Sequence, residues 1–370
     1  MAGNPLLRRA YAGHTVVVTG HTGFKGAWLS EWLLMLGARV VGIAQPPRER
    51  ALFTALGLEP RLQHHMIDIR DADALKRCIL DAAPDYVFHL AAQSLVRPAF
   101  GDPVATLSTN IMGTAHVLDA LRALDQRYAG THRTCAAVLA TSDKCYASLG
   151  ADQPFHEDHP LGGHDPYSAS KAAAEIVIDA YRASFLRPDG GKVSVASVRA
   201  GNVIGGGDWA PERILPDCIR NLERGATIPV RNPEATRPWQ HVLEPLGGYL
   251  TLAARQHQAL QDGDADASRA LASAFNFGPE AGASQRVREL VTELLRHWPG
   301  EWAHQAETSA PQEAENLAID WSKAEQVLGW SPRWGFSEAV ARTALWYRRH
   351  VVEGADALEL TRGDINAYGS

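Results

Sequence analysis

The sequence predicts an α/β fold: a doubly wound parallel sheet with a smaller, irregular C-terminal lobe. In residues 1–200, short β-branched runs alternate with longer helix-like stretches, which is the pattern of βαβ units. A glycine-rich turn directly follows the first of these runs. After about Gly201 the composition changes to another glycine-rich turn, followed by prolines at 211, 216, 229, 233, 238 and 245.

The elements of the first part follow from these runs. The candidate strands are 14–19, 39–43, 64–67, 86–89, 136–141 and 193–199, and helical candidates between them include 25–36, 104–124 and 168–184. This order predicts a Rossmann-type, NAD-binding domain over residues 1–200. We expect residues 201–370 to form mainly a substrate lobe, with some segments returning to the first domain. The polar stretch 256–270 is expected to be a helix end and a surface loop without function.

Composition limits the classes of partner. The net charge of -6 provides no basic field for a nucleic acid or a membrane surface. No run of about eighteen apolar residues occurs, and no apolar signal region precedes Gly13, so we expect a cytoplasmic protein without a membrane partner. The four cysteines form no CxxC pair, which argues against a disulfide framework or a zinc ribbon.

A dinucleotide site is predicted after the first strand. The turn has the spacing GxxGxxG and is followed by an amphipathic helix; its residues are Gly20, Thr22, Gly23, Phe24, Lys25 and Gly26, with His21 between the first two. Glycines at this spacing permit a tight turn and a close approach to a pyrophosphate, while the helix N-terminus offers amides to the anion. The strand before and the helix after favour nucleotide binding over a plain βα turn.

Other cofactor contacts are expected at later strand ends. Asp68 and Ile69 follow the third strand, where Asp68 could bind an adenine amino group or simply cap a helix. Leu90, Ala91 and Ala92 follow the fourth strand, and the small side chains in this segment leave room for a cofactor.

The second strand does not decide between NAD and NADP. It ends without the usual acidic residue for the ribose hydroxyls. Arg48 and Arg50, which follow it, could in principle meet a 2′-phosphate.

Two segments carry the predicted chemistry. Ser142, Asp143 and Lys144 follow the fifth strand, and Tyr167 and Lys171 lie four residues apart at the start of a helix. A pair at this spacing shares one helix face, and an ammonium near a phenol favours its ionised form. With a cationic nicotinamide nearby, Tyr167 could act as a base.

This arrangement resembles the extended short-chain dehydrogenase/reductases over nearly the whole chain. More narrowly, it is similar to the CDP-glucose 4,6-dehydratase branch in the segments Thr19 to Gly26, Leu90 to Ser94, Thr141 to Tyr146, Arg199 to Trp209 and Arg237 to Val242. Related dTDP-glucose dehydratases carry Asp-Glu where this chain has Asp143-Lys144, a departure that is itself similar to the CDP-glucose branch.

The resemblance implies an NAD-dependent conversion of CDP-glucose to CDP-4-keto-6-deoxyglucose and water. Hydride would pass from sugar C4 to NAD and return to C6. Tyr167 would take the C4 hydroxyl proton, with Ser142 and Lys171 ordering the phenolate. Lys144 would be the base at C5, and Asp143 the acid for the departing C6 hydroxyl. These roles require a lowered pKa for Lys144 and a raised pKa for Asp143.

The substrate needs its own anchors. We expect polar contacts to the sugar or pyrophosphate from Gln93, Asn202, Arg213, Arg237 and His241, since arginine binds such oxygens bidentately. His156, His159 and His164 do not form the HExxH zinc pattern, so no metal is expected.

Three other functions remain open. A sugar-nucleotide epimerase has no use for the Asp143-Lys144 pair, a reductase would release oxidised cofactor at each turnover, and a dinucleotide-sensing regulator would have lost catalysis. The resemblance also implies a homodimer or a dimer of dimers, for which the helices 104–124 and 168–184 could supply a four-helix interface.

Overall fold

The computed structural model describes residues 5–147, 154–187, 190–280, 284–305 and 318–369. Its centre is a seven-stranded sheet with the order β11-β6-β5-β4-β1-β2-β3, in which every neighbouring pair is parallel. The strands are β1 (Thr15–Thr19), β2 (Arg39–Ala44), β3 (Gln63–Met66), β4 (Tyr86–His89), β5 (Cys135–Ala140), β6 (Val193–Ala200) and β11 (Ala274–Phe277). The predicted doubly wound fold is confirmed.

The seventh strand was not predicted. β11 has four residues and pairs with β6, so that Phe275 lies opposite Val198. A run this short cannot be distinguished from a buried helix segment by sequence pattern alone. Through β11, a segment from beyond residue 200 forms the edge strand of the main sheet.

Helices cover both faces of the sheet. The first group is α1 (Pro5–Tyr11), α2 (Phe24–Met35), α3 (Leu52–Ala55), α4 (Ala72–Ala82), α5 (Val96–Gly101), α6 (Pro103–Leu107), α7 (Gly113–Tyr128) and α8 (Pro166–Ser184). The second group is α9 (Ile214–Glu223), α10 (Leu243–Asp262), α11 (Ala265–Leu271), α12 (Val287–His297), α13 (Ser322–Leu328), α14 (Phe336–Val351) and α15 (Ala357–Gly369). Residues 256–270 are mostly helical, so the surface loop expected there was wrong.

The predicted helix 104–124 is divided by a π-helical turn. This turn, Ser108–Met112, separates α6 from α7. π-turns inside helices are often found at functional sites. Here the turn places Asn110, which is 1% exposed, beside the loop that follows β4.

Short strands form a lobe beyond the carboxyl ends of the main sheet. They make three two-stranded pairs: β7 (Val203–Ile204) with β10 (Gln240–His241), β9 (Thr236–Pro238) with β12 (Ser284–Arg286), and β8 (Ile228–Val230) with β13 (Trp302–His304). Within the described ranges, none of the helices is both long enough and apolar enough to cross a membrane.

A buried carboxylate joins α2 to α15. Glu31 on α2 is fully buried, and its oxygens lie 2.7 Å from Arg61 Nη1 and 2.7 Å from Arg362 Nε. Arg362 belongs to α15. A buried carboxylate is costly unless it is paired, so both arginines offset the burial of Glu31, and the pair with Arg362 joins α2 to α15.

Candidate active site

One cleft of about 1420 Å³ lies beyond the carboxyl ends of the sheet strands. A single small-molecule site usually occupies about 300–1000 Å³, so this cleft has room for a dinucleotide and a second ligand together. The sequence-predicted residues that line it are Gly20, Thr22, Gly23, Phe24, Lys25, Gly26, Asp68, Ile69, Leu90, Ala91, Ala92, Gln93, Ser142, Asp143, Lys144, Tyr167, Lys171, Asn202, Arg213 and Arg237. His241 is not among the lining residues.

Two glycines make the turn after β1 possible. Gly20 has a φ of +77°, and a Cβ there would lie 2.7 Å from the backbone nitrogen of Ala91. A Cβ on Gly26 would lie 2.1 Å from the carbonyl oxygen of Gly20. Because neither position can hold a side chain without moving backbone, the loop and the start of α2 stay open toward the cleft.

The start of α2 is suited to an anion. The helix begins at Phe24 after Gly23, so free amide groups of its first turn point to the cleft. Burial, together with the nearby Arg213, lowers the pKa of Lys25 to about 8. These donors and cations fit a pyrophosphate group.

The end of β2 is occupied by a polar pair. Gln45 Nε2 donates to Asp68 Oδ2 at 2.8 Å, and Thr22 Oγ1 donates to the Gln45 carbonyl at 3.0 Å. The hydrogen bonds and charge of Arg70 lower the pKa of Asp68 to about 2. Asp68 therefore stays ionised as an acceptor at the rim of the cleft, where the adenosine end of a dinucleotide would lie.

Arg50 is not placed to bind a 2′-phosphate. Its guanidinium makes two hydrogen bonds to Glu223, of 3.0 and 3.1 Å, and lies 3.6 Å from the centre of the Trp209 ring. Arg48 lines the cleft. The pairing of Arg50 removes one of the two arginines that could have favoured NADP.

The segment after β5 brings a carboxyl group into the cleft. Ser142 caps a short 3-10 helix, Asp143–Cys145; its Oγ donates to Asp143 Oδ1 at 2.9 Å and accepts from the Lys144 amide at 3.2 Å. Asp143 is 4% exposed, and burial raises its pKa against the opposing effects of Lys144 and Ser142. A buried carboxyl with a raised pKa meets the requirement for an acid at this position.

Tyr167 and Lys171 face the same part of the cleft. Helix α8 begins at Pro166 because Asp165 Oδ1 accepts the amides of Tyr167 and Ser168 at 2.9 and 3.0 Å. Burial raises the pKa of Tyr167 to about 12, opposed by a hydrogen bond with Ser142. Burial lowers the pKa of Lys171 to about 8, while Glu175 opposes this change. In the protein alone, Tyr167 is therefore a neutral hydroxyl.

A buried ion pair lies behind these residues. Glu175, one turn after Lys171, contacts Arg199 of β6 at 2.8 Å, and the two side chains are 1% and 4% exposed. Glu175 also accepts hydrogen bonds from Thr141 and Ser197. The pair thus joins α8 to the ends of β5 and β6. The sequence alone did not reveal it, because its members come from three separate elements.

Asn110 is a second residue that sequence reasoning missed. Its side chain exchanges two hydrogen bonds of 2.9 Å with the backbone of Gln93, and its Nδ2 donates to Ser170 Oγ at 2.8 Å. It therefore connects α8 to the loop after β4. No motif marks it, since it lies within a segment that reads as ordinary helix.

The structure does not support direct substrate contact by the Gln93 side chain. Its Nε2 donates to the Leu95 carbonyl at 2.9 Å and to Thr106 Oγ1 at 3.0 Å, and its Oε1 accepts the Leu95 amide at 2.7 Å. Both amide hydrogens are engaged within the protein. Gln93 lines the cleft, but its side chain orders the loop.

Both arginines that were predicted to bind the substrate line the cleft. Arg213 Nη1 lies 2.9 Å from the buried Asp208 Oδ2, which holds the guanidinium at the cleft wall. Arg237 Nη1 donates to the Thr236 carbonyl at 2.8 Å. Asp208 was not predicted as a site residue, although it lies in the glycine-rich segment that the sequence singled out.

The expected contact between His241 and the substrate needs correction. His241 is fully buried, and its ring packs edge-on against Trp28 and Trp334 at centroid distances of 5.7 and 4.9 Å. Its Nδ1 accepts the Leu243 amide at 3.3 Å. The residue orders the start of α10 from inside the core and does not reach the cleft.

Comparisons with known proteins agree with this architecture. The family described as GDP-mannose 4,6 dehydratase matches residues 17–343. CDP-glucose 4,6-dehydratase of Salmonella typhimurium is 41% identical over 366 residues, covering 97% of each chain. dTDP-glucose 4,6-dehydratase of Xanthomonas campestris is 28% identical over 348 residues and covers 90% of this chain and 93% of its own.

Solved structures have the same fold. The dTDP-glucose 4,6-dehydratase DesIV of Streptomyces venezuelae, with NAD and TYD bound, has a TM-score of 0.73 and 25% identity, covering 90% of this chain and 97% of its own. UDP-glucose 4-epimerase of Thermus thermophilus has a TM-score of 0.73 and 22% identity, covering 90% and 99%. From the family match and the Salmonella relative, the chain belongs to the GDP-mannose 4,6-dehydratase family of extended short-chain dehydrogenase/reductases.

Proposed function

We propose that this chain removes water across C5 and C6 of a nucleotide-activated hexose, with CDP-glucose as substrate and NAD as cofactor. The observation that carries the proposal is the position of Asp143, a buried carboxyl with a raised pKa, in one cleft with Ser142, Tyr167 and Lys171. The 41% identical Salmonella relative, named a CDP-glucose 4,6-dehydratase, supports the choice of substrate.

NAD fits the residues around the turn after β1. The open turn between Gly20 and Gly26 would hold the pyrophosphate against the start of α2, and Asp68 would accept hydrogen bonds from the adenosine end. When bound, NAD supplies a group that accepts two electrons from the sugar and returns them within one turnover. The NAD in the DesIV structure and the pairing of Arg50 with Glu223 support NAD over NADP.

The residues of this chain would then move the protons. Tyr167 would take the proton of the C4 hydroxyl, with Ser142 lining the same part of the cleft. A cationic Lys171, together with the positive charge of a bound oxidised nicotinamide, would lower the pKa of Tyr167 from its value of about 12 in the protein alone. Glu175 favours the cationic form of Lys171 that this requires.

The second half of the reaction would use the neighbouring pair. Once C4 is a ketone, the C5 hydrogen is acidic, and Lys144 would remove it as the base. Asp143, whose pKa is raised by burial, would give a proton to the departing C6 hydroxyl. An epimerase on this scaffold would have no use for such an acid and base.

A single experiment tests the substrate, the reaction and the cofactor. One aliquot of purified protein is heat-denatured and its supernatant assayed for NAD and NADP. The remainder is mixed with CDP-glucose without added cofactor. We expect bound NAD, and a product that is lighter by one water and carries a 4-keto group, because the cofactor is regenerated in place.

Each rival predicts a different result in the same assay. An isomer of CDP-glucose without loss of water would indicate an epimerase. Product that forms only after reduced cofactor is added, in proportion to the cofactor consumed, would indicate a reductase. Absence of any product, with dTDP-glucose and GDP-mannose tested in parallel, would contradict the assignment of CDP-glucose and show whether another nucleotide is preferred.

We also propose that the protein forms a homodimer through α8 and the segment from α6 through the π-helical turn to α7. Large apolar side chains are exposed along α6, the π-helical turn and α8: Val104, Leu107, Met112 and Ile176, which are 37–73% exposed. Monomers rarely leave such groups clustered in water, and helices of this length can pair as a four-helix interface.

The oligomeric state can be measured by light scattering and sedimentation. We expect a dimer for the wild type and a shift toward monomer for Ile176→Asp, since a charge in a paired apolar face must be desolvated. Leu345→Asp is a matched control, because Leu345 is also exposed but lies on α14. A wild type that is monomeric at micromolar concentrations would contradict the proposal.

A further inference from the structure

Three potential metal ligands meet at the end of the sheet opposite the cleft. His14 directly precedes β1, Asp85 directly precedes β4, and His257 lies on α10. One ligand atom from each lies within 4.8 Å of the other two. The residues are separated by 71 and 172 positions in the chain, so no sequence motif could reveal them.

The carboxylate is already oriented for this role. Asp85 Oδ2 lies 3.2 Å from His14 Nδ1 and accepts the Thr15 amide at 2.8 Å. Ligand atoms bound to a tetrahedral Zn²⁺ at about 2.0–2.1 Å lie about 3.3 Å from one another. The His14 to Asp85 distance matches this value, and the Thr15 amide is the kind of outer contact that fixes a metal-binding carboxylate.

The third residue is a largely buried imidazole on α10. His257 is 8% exposed, and its ring packs against Tyr86 and His14 at centroid distances of 4.7 and 5.3 Å. This packing holds the ring beside Asp85, with a ring nitrogen within 4.8 Å of the ligand atoms of Asp85 and His14.

We propose that His14, Asp85 and His257 bind a Zn²⁺ ion, with water as a further ligand. Two imidazoles and one carboxylate form a ligand set that zinc accepts. Binding would require side-chain rotation that brings the three ligand atoms, which lie within 4.8 Å of one another, closer together. The ion would join the starts of β1 and β4 to α10. The site lies away from the cleft, so its role is structural.

One nearby charge opposes the ion. Arg133 Nη2 lies 4.0 Å from Asp85 Oδ1, the carboxylate oxygen that faces away from His14. The Arg133 side chain is 47% exposed, so water screens its charge. Asp85 can therefore hold the arginine with one oxygen and the zinc ion with the other.

The test uses the full-length protein, freed of any histidine tag, and zinc chloride as the probe. Calorimetric titration should give one site per chain, and excess zinc should raise the melting temperature by about 3 °C. His257→Phe keeps an aromatic ring against Tyr86 but removes the ligand, and should weaken zinc affinity at least 10-fold and abolish the thermal shift. His132→Phe, which changes an exposed histidine next to Arg133, should behave as the wild type.

Two further measurements make the result decisive. Cobalt(II) bound at the site should give the intense visible bands of a tetrahedral or five-coordinate ion in the wild type, and these should be missing in His257→Phe. CDP-glucose turnover should be the same with and without zinc. Equal zinc affinity in the wild type and His257→Phe would overturn the proposal, as would a wild type without a zinc site.

Discussion

Tyr167→Phe and Lys144→Ala are expected to stop the reaction at different steps. Tyr167→Phe should form almost no reduced cofactor on mixing with CDP-glucose, because it lacks the group that takes the C4 hydroxyl proton. General acid–base groups contribute about 100- to 10,000-fold, so we expect turnover to fall by about 1000-fold. Lys144→Ala should still form some reduced cofactor but stall before water is lost.

Stopped-flow absorbance of the reduced nicotinamide, together with exchange of the C5 hydrogen in deuterated solvent, measures the two steps separately. Lys76→Ala serves as a control, since Lys76 pairs with Asp119 on the outer helices. If Lys144→Ala dehydrates CDP-glucose at the wild-type rate, or exchanges C5 normally, another residue is the base and the roles given to Asp143 and Lys144 are wrong.

Glu175→Gln should cause the largest loss of stability among single polar changes near the cleft. The substitution leaves the Arg199 cation buried without its counter-charge, and breaking a buried pair costs about 3–5 kcal/mol. Urea denaturation should show this loss. Glu338→Gln, which breaks the more exposed pair with Arg342 on α14, should cost about 0.5 kcal/mol or less.

The difference between Glu175→Gln and the wild type should depend on pH. Burial raises the pKa of Glu175, but the charge of Arg199 and the hydrogen bonds of Arg199, Thr141 and Ser197 outweigh it, so the net pKa is lowered. A carboxyl with a lowered folded-state pKa contributes stability above its unfolded pKa and loses it as the pH falls through the folded value. The destabilisation should therefore shrink in acid. A difference that stays constant down to acid unfolding would contradict this account of the pair.

The elements and motifs that sequence could predict are those that depend on local pattern. Gly20 and Gly26 are required by a turn between neighbouring elements, and Tyr167 and Lys171 share one helix face. The carboxyl ends of parallel strands lie at one edge of the sheet, so the residues that follow β1, β4 and β5 lie close together there. This is why the cofactor and catalytic segments were found together in the cleft.

The remaining features depend on contacts between distant segments. The pairing of Arg50 with Glu223 and of Arg213 with Asp208 determines which arginines can reach a ligand, and neither pairing has a sequence signature. His241 lies in a segment that resembles a substrate loop, yet packing against Trp28 and Trp334 draws its ring into the core. Sequence identified the segment correctly but not the direction of its side chain.

The pairing of Glu31 with Arg61 and Arg362 affects how the chain can fold during translation. The ribosome makes α2 early, and domains often begin to fold from the N-terminus as they emerge. Glu31 cannot become fully paired in the core until residue 362 has left the exit tunnel, because Arg362 supplies one of its two cations. The nucleotide-binding half therefore reaches its final packing only after Arg362 has emerged, and until then α2 must keep its carboxylate in contact with water.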